Sequence, residues 1–175
     1  QSRGVVTSKK SPGVAANPEA IVTPLPITQP HFSSYNPATF TGREAEIATL
    51  RAALESGKRL LWICGMTGIG KTTLAERIAA ESLGTRTYLA VDCQRDFGEG
   101  DFMRGAIVLL GKLGDETAQQ LPEDQVLPYL VQRLSRGAYW VQLDSVEALV
   151  QDDRFQDDRW GTALVQILRE ADVRW

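Results

Sequence analysis

The chain has 175 residues, which is room for one domain of ordinary size and an appended segment. Hydrophobic residues make up 43% of it and charged residues 23%, as is usual in soluble globular proteins. The formal net charge of −3 argues against a nucleic-acid-binding surface, and no apolar run approaches the ~20 residues that a membrane helix needs. Two cysteines are too few for a disulfide framework, which favours a cytoplasmic protein.

The first 39 residues differ in composition from the rest of the chain. They contain six of the eight prolines, few charges and no helical periodicity. We therefore predict a disordered, Pro-rich linker over residues 1–39 and a folded domain over residues 40–175.

Helical and strand-like segments alternate from residue 40 onward. Thr41 and Glu44 have the spacing of a capping box and predict the start of a helix over residues 43–56. This alternation predicts an α/β fold with a parallel sheet flanked by helices. The later predicted elements are a strand near 60–64, a helix over 71–84, a strand near 86–92, a helix over 101–114, a polar loop over 115–125, a helix over 126–137 that starts or kinks at Pro128, a strand near 139–143, a charged loop over 152–159 and a helix over 160–172.

The segment "GMTGIGKTT" lies between a predicted buried strand and a predicted helix. It fits the pattern G-x-x-x-x-G-K-[ST], with Gly65, Gly70, Lys71 and Thr72 at the fixed positions. Such a loop directs several backbone N–H groups and the positive end of a helix at one phosphate chain, and glycine permits the close backbone approach. Lys71 is expected to reach the β- and γ-phosphates, and Thr72 to ligate Mg²⁺. The motif therefore predicts a P-loop nucleotide site.

A P-loop also needs an acidic partner for the metal, and we expect an aspartate at the end of a hydrophobic strand. Asp144 ends the segment "YWVQLD" and is the candidate, so Thr72 and Asp144 form the predicted metal site. Many P-loop ATPases have a second acid directly after this aspartate, but here that position is Ser145, which cannot act as a base. Glu147 is the alternative candidate for orienting the attacking water. We therefore predict Lys71, Asp144 and Glu147 as catalytic residues, and slow hydrolysis.

Three segments resemble the STAND class of signal-transduction ATPases, the group that includes NB-ARC domains. They are "FTGREAE" at 40–46, "GMTGIGKTTLA" at 65–75 and "LDSVEAL" at 143–149, and the resemblance covers roughly residues 40–175. It implies an ATP/ADP switch with Mg²⁺ inside a larger signalling protein, with protein partners engaged through C-terminal regions that this sequence does not contain. It also implies that Phe40, Gly42 and Arg43 lie near the adenine and ribose, and that Gly68, Ile69, Gly70, Lys71, Thr72 and Thr73 hold the phosphates and the metal.

The same resemblance implies a strand order of 5-1-4-3-2. The fourth strand should then lie between the first and the third and begin just after Trp175, so that the P-loop fold is truncated before its fourth strand. We expect either a cleft between the strand before the P-loop and the strand that ends at Asp144, or direct pairing of those two strands.

Three other functions compete with the switch. An AAA+ ATPase of the origin-recognition or clamp-loader type would act on DNA. Such a protein would normally have an acidic residue at the position of Ser145 and more basic residues than this chain has. A small-molecule kinase would have its P-loop close to the N-terminus and an arginine-rich lid. A nucleotide-dependent adaptor would bind ATP without hydrolysing it.

Overall fold

A computed structural model describes residues 30–98 and 100–175 of the chain. Of the predicted linker, residues 1–29 therefore lie outside the described residues, whereas residues 30–39 are described. No helix in the described ranges is both long and apolar enough to cross a membrane.

The described residues form six α-helices, two short 3₁₀ helices and five strands. The helices are α1 (Glu44–Glu55), α2 (Lys71–Ser82), α3 (Cys93–Asp96), α4 (Phe102–Lys112), α5 (Glu123–Ser135) and α6 (Arg159–Glu170), with 3₁₀ turns at Thr117–Gln120 and Val146–Leu149. The strands are β1 (Thr87–Asp92), β2 (Ala138–Asp144), β3 (Val150–Gln151), β4 (Arg154–Phe155) and β5 (Asp172–Arg174).

Strands β1, β2 and β5 form one parallel sheet with β2 in the middle. The register places Asp92 opposite Asp144, so the carboxyl ends of β1 and β2 lie side by side. Helices connect the parallel strands, as such a sheet requires. The predicted α/β class, with a parallel sheet flanked by helices, is confirmed.

The fourth strand of the predicted order begins earlier than expected. It is β5, which starts at Asp172 and not after Trp175. The Trp175 N–H donates to the Arg59 carbonyl at 2.7 Å, and the Leu61 N–H donates to the Trp175 carbonyl at 2.9 Å. The chain before the P-loop therefore lies beside β5, in the predicted order 1-4-3-2. The predicted strand over 60–64 is wrong as a regular strand, because only its first residues have a neighbour with which to pair.

The sheet separates two apolar cores. On one face, α4, α5 and α6 pack against Tyr139, Val141 and the rest of the larger core. On the other face, α1 and α2 pack against Trp140, with Phe32 and Tyr88 at the edge of the smaller core. Successive residues of β2 point to opposite faces, which explains why Trp140 and its two neighbours belong to different cores.

The start of α1 differs from the predicted capping box. Its N-cap is Arg43, which has a left-handed backbone (φ 65°) and caps no N–H with its side chain. Thr41 and Glu44 therefore do not form the pair of side-chain-to-backbone hydrogen bonds that defines a capping box. The helix itself nevertheless begins within one residue of its predicted position.

Two later segments also differ from their predicted boundaries. Helix α5 begins at Glu123 and continues through Pro128, so the proline does not start the helix. The predicted charged loop over 152–159 contains the turn and the second strand of the β3–β4 hairpin, and Asp152 and Asp153 both have positive φ, as a two-residue type I′ turn requires.

Candidate functional site

The predicted P-loop leads directly into α2. Gly68 and Gly70 have φ values of 80° and 83°, a left-handed conformation that favours glycine. Gly70 is the N-cap of α2, and the first turn of α2, which includes Thr73, carries no acidic side chain. The first N–H groups of a helix have no partner within it, so this end of α2 can receive an anion.

Two basic side chains lie against the carbonyl groups of this loop. Lys71 Nζ donates to the Gly65 carbonyl at 2.9 Å and to the Met66 carbonyl at 3.2 Å. The Arg43 guanidinium donates to the carbonyl of Ile69. Because the acceptors of Lys71 are neutral, a phosphate group offers this ammonium a stronger, charge-assisted hydrogen bond.

Thr72 and Asp144 connect the loop to the sheet. Thr72 Oγ1 donates to Asp144 Oδ2 at 2.7 Å, and the Ser145 N–H donates to Asp144 Oδ1 at 3.0 Å. Hydroxyl and carboxylate oxygens are the ligands that Mg²⁺ prefers, with waters and substrate phosphates at its other positions. This pair of oxygens therefore fits Mg²⁺. Among the described residues, no group of three or more His, Cys, Asp or Glu side chains could hold a metal ion.

Glu147 lies just beyond the end of β2. Ser145 has a left-handed backbone (φ 54°), which turns the chain into the 3₁₀ helix Val146–Leu149. Glu147 is exposed and lines the same cavity as Lys71 and Asp144. The predicted catalytic residues are therefore brought to one place in the fold.

A cavity of about 720 Å³ lies between the chain before the P-loop and the end of β2. The P-loop and Asp144 form its polar end, and several apolar side chains line the rest of it. The cavity lies where the cleft was expected and the two strands do not pair directly, but β5 occupies the sheet position between them. The apolar residues of the lining include Leu61, Trp62, Ile63, Leu143, Trp160 and Trp175.

The residues expected near the adenine and ribose lie outside this cavity. Phe40, Gly42 and Arg43 immediately precede α1, and Gly42 also has positive φ (80°). The Arg43 contact with the Ile69 carbonyl places this segment beside the P-loop. Ile69 is 47% exposed, so it leaves apolar surface next to the loop.

The two cysteines differ in environment. Cys93 lies at the start of α3 and is fully buried. Burial is the main cause that raises the pKa of its thiol to about 12, and the negative charges of Asp92 and Asp144 add to it. It therefore stays protonated at neutral pH. Cys64, which precedes the P-loop, is exposed, although a buried strand residue was expected there.

Sequence reasoning missed one buried charged residue close to the P-loop. Glu76 lies one helical turn after Thr72 on α2 and is only 2% exposed. Its hydrogen-bond partners are residues 33–35. The sequence signal for this residue is the spacing of four between Thr72 and Glu76, which places the acid on the same face of the helix as the threonine. That spacing does not identify partners that lie more than 40 residues away.

A comparison with protein-family models identifies the family of the chain. A model described as "AAA ATPase domain" covers residues 39–172, which is more than half of the chain. The searches of curated proteins and of solved structures give no match. The family match includes the P-loop, Asp144 and Glu147.

Proposed function

Because the chain belongs to the AAA ATPase domain family, whose members are nucleotide-binding ATPase modules, we propose that it is an ATP/ADP switch of the STAND class. In this proposal the module belongs to a larger signalling protein and hydrolyses Mg·ATP slowly. Bound ATP would favour one arrangement of the parent protein and bound ADP another.

The contact between Thr72 and Asp144 is the observation that carries the proposal. It holds a hydroxyl at the start of α2 and a carboxylate at the end of β2 within 2.7 Å of each other. Bound Mg²⁺ would supply charge neutralisation between the phosphates. The hydroxyl and the carboxylate would hold that ion, directly or through water.

The P-loop residues have separate roles in this proposal. The backbone from Gly65 to Gly70 and the first turn of α2, through Thr73, would receive the phosphates. The ammonium of Lys71 would leave its two carbonyl acceptors and contact the β- and γ-phosphates. Phe40, Gly42 and Arg43 would contact the nucleoside.

Slow turnover is proposed because the chain has a weak arrangement for activating water. Ser145 follows Asp144 and cannot accept the proton of an attacking water at neutral pH. Glu147 can accept one, but it is exposed and stands on a short 3₁₀ turn. A general base must be held within hydrogen-bond reach of the water it activates. A site that binds ATP firmly and cleaves it slowly suits a switch.

The test is to titrate the protein with ATP and ADP, with and without Mg²⁺, and to measure phosphate release. We expect binding of both nucleotides, tighter ATP binding with Mg²⁺, and turnover below about 1 s⁻¹, compared with a median near 10 s⁻¹ for enzymes. Absence of binding, or turnover at or above that median, would contradict the proposal.

A second candidate is an AAA+ ATPase that acts on DNA. The family description, an AAA ATPase domain, is compatible with this candidate as well as with a STAND switch. The net charge of −3 weighs against it. Duplex DNA should increase phosphate release by this candidate and leave a STAND switch unaffected. A nucleotide-dependent adaptor would instead bind ATP and release no phosphate above the background of the K71A variant.

A further inference from the structure

The carboxylate of Glu76 accepts hydrogen bonds from one short segment of the chain. Its Oε1 accepts from the N–H of Ser33 at 3.0 Å and from the Ser33 hydroxyl at 2.9 Å. Its Oε2 accepts from the N–H of Ser34 at 2.7 Å and of Tyr35 at 2.6 Å. We refer to residues 32–40 as the N-terminal strap.

The N–H groups of residues 33–35 are arranged as in an anion-binding site, and the Glu76 carboxylate occupies the position of the anion. Three successive backbone N–H groups turned towards one point form a concave nest for negative charge. Glu76 is 2% exposed, and none of the ion pairs found among the described residues involves it. A buried carboxylate is costly unless hydrogen bonds replace its lost hydration. The strap supplies those bonds, so Glu76 and the strap depend on each other.

Aromatic contacts extend the same attachment along the strap. The Phe32 ring lies 4.9 Å from the ring of Tyr88, and the Tyr35 ring lies 5.7 Å from that of Phe40. The Arg77 guanidinium, next to Glu76 on α2, lies 5.4 Å from the Tyr35 ring and 5.6 Å from the Phe40 ring. Arg77 also donates to the Tyr35 hydroxyl. The strap is therefore held on β1 at Phe32 and on α2 from Ser33 to Phe40.

The far end of the strap returns to the P-loop. Phe40 leads through Gly42 to Arg43, and Arg43 contacts the Ile69 carbonyl. Helix α2 thus contacts the strap, and the P-loop contacts the residues that follow it. Because this segment lies beside the loop that receives the phosphates, it is positioned to form a wall for the nucleoside of a bound nucleotide.

We propose that Glu76 is a positioning residue that fixes the N-terminal strap beside the P-loop and so determines how tightly the nucleoside part of a nucleotide is bound. This inference rests on the proposed nucleotide-binding function. Glu76 itself contacts neither phosphate nor metal in this proposal. It acts through the strap residues that it holds.

The variant E76Q tests the inference with little change in side-chain volume. Gln keeps one acceptor oxygen but presents an NH₂ group to backbone donors, so half of the nest loses its acceptor. We expect ATP affinity to fall about tenfold and the affinity for inorganic tripolyphosphate to change by less than twofold. Hydrogen exchange of the Ser33–Tyr35 amides should accelerate. S33A, which removes only the exposed hydroxyl donor, should weaken ATP binding by a smaller factor in the same direction.

E55Q is the control, since it removes the same charge from an exposed position on α1. Among the described residues, Glu55 takes part in none of the side-chain hydrogen bonds or ion pairs that hold the strap. We expect E55Q to leave amide exchange at 33–35 unchanged and to preserve the ratio of ATP to tripolyphosphate affinity.

The outcomes separate this inference from the proposed function. If the unaltered protein binds no ATP, the proposed function fails. If it binds ATP and E76Q binds ATP equally well, only the role of Glu76 is overturned. An equal loss of ATP and tripolyphosphate affinity in E76Q also overturns it, because Glu76 would then support the P-loop and not the strap.

Discussion

The ammonium of Lys71 rests on two carbonyl oxygens of the P-loop. We expect Lys71→Ala to weaken Mg·ATP binding by ~2–4 kcal/mol, the scale for losing a charge-assisted contact with phosphate. Isothermal titration measures the change. Lys58→Ala removes an exposed lysine outside the loop and should bind ATP normally. Equal affinity of the two variants would contradict the P-loop assignment.

Two acids at the rim of the cavity allow the proposed base to be tested. Glu147 and Asp153 both line the cavity, and Asp153 stands in the hairpin turn that follows. We expect Glu147→Gln to lower phosphate release at least tenfold and to leave ATP affinity nearly unchanged, because its role is confined to the hydrolytic step. Because asparagine tolerates positive φ, Asp153→Asn should leave the turn intact and hydrolyse ATP at the original rate. If Asp153→Asn alone slows phosphate release, Glu147 is not the base.

At the scale of elements, helix α4 contains two glycines with opposite surroundings. A Cβ at Gly105 would lie 2.4 Å from Trp160 Cζ2, whereas a Cβ at Gly111 would meet no heavy atom within 4 Å. We expect Gly105→Ala to lower the free energy of unfolding by ~1–3 kcal/mol through overpacking. Gly111→Ala should raise it by roughly 0.5–1 kcal/mol, because alanine is the better helix former. Denaturant unfolding of both variants gives the comparison.

One carboxylate joins the starts of α4 and α6. Asp157 accepts from the backbone N–H of Phe102 at 3.0 Å and of Arg159 at 3.1 Å, and from the Arg159 guanidinium at 2.7 Å. Hydrogen bonds from the Arg159 side chain lower the pKa of Asp157 to about 2, against the opposing effect of burial. A lowered folded-state pKa means that this stabilisation is complete above the unfolded pKa near 3.8 and is lost as pH falls towards 2.

We therefore expect Asp157→Asn to cost about 1–2 kcal/mol of stability at pH 7 and much less near pH 2. Thermal unfolding measured at intervals from pH 7 to pH 2 gives the profile. Asp158→Asn changes the exposed neighbour and should retain the stability profile of the parent. A constant difference between Asp157→Asn and the parent down to pH 2 would show that the charge of Asp157 is not the cause.

The sequence predicted elements with strong periodicity and missed features that depend on distant neighbours. Helices α1 and α2, the sheet class and the meeting of Thr72 with Asp144 follow from apolar spacing and from the P-loop pattern. Pro128 was expected to start or kink a helix, but α5 begins five residues before it and includes it, because the apolar residues on both sides of the proline pack into the larger core. The partners of Glu76 could not be predicted, because a backbone N–H carries no sequence signature.

At the scale of the whole molecule, Trp175 joins the two sides of the cavity. Its backbone bonds to Arg59 and Leu61, and its side chain is 8% exposed within the larger core. We expect Trp175→Ala to cost ~3–5 kcal/mol, the usual range for a buried aromatic residue. Among the described residues the indole N–H has no hydrogen-bond partner. Trp175→Phe, which keeps an aromatic ring and removes that N–H, should therefore be much less destabilising. Equal losses in the two variants, measured by denaturant unfolding, would contradict this account.

The position of β5 inside the sheet also sets the order in which the protein can assemble on the ribosome. Arg59 donates to the carbonyl of Ala171 at 2.7 Å across a separation of 112 residues. At a synthesis rate of ~5–20 residues per second, on the order of 10 s pass between the emergence of these two partners. Late in that interval the P-loop has left the exit tunnel, but the strand that pairs with the chain preceding it has not yet emerged. The nascent chain therefore leaves the Arg59 guanidinium and the Leu61 N–H without their partners, which favours protection by a chaperone until β5 is in place.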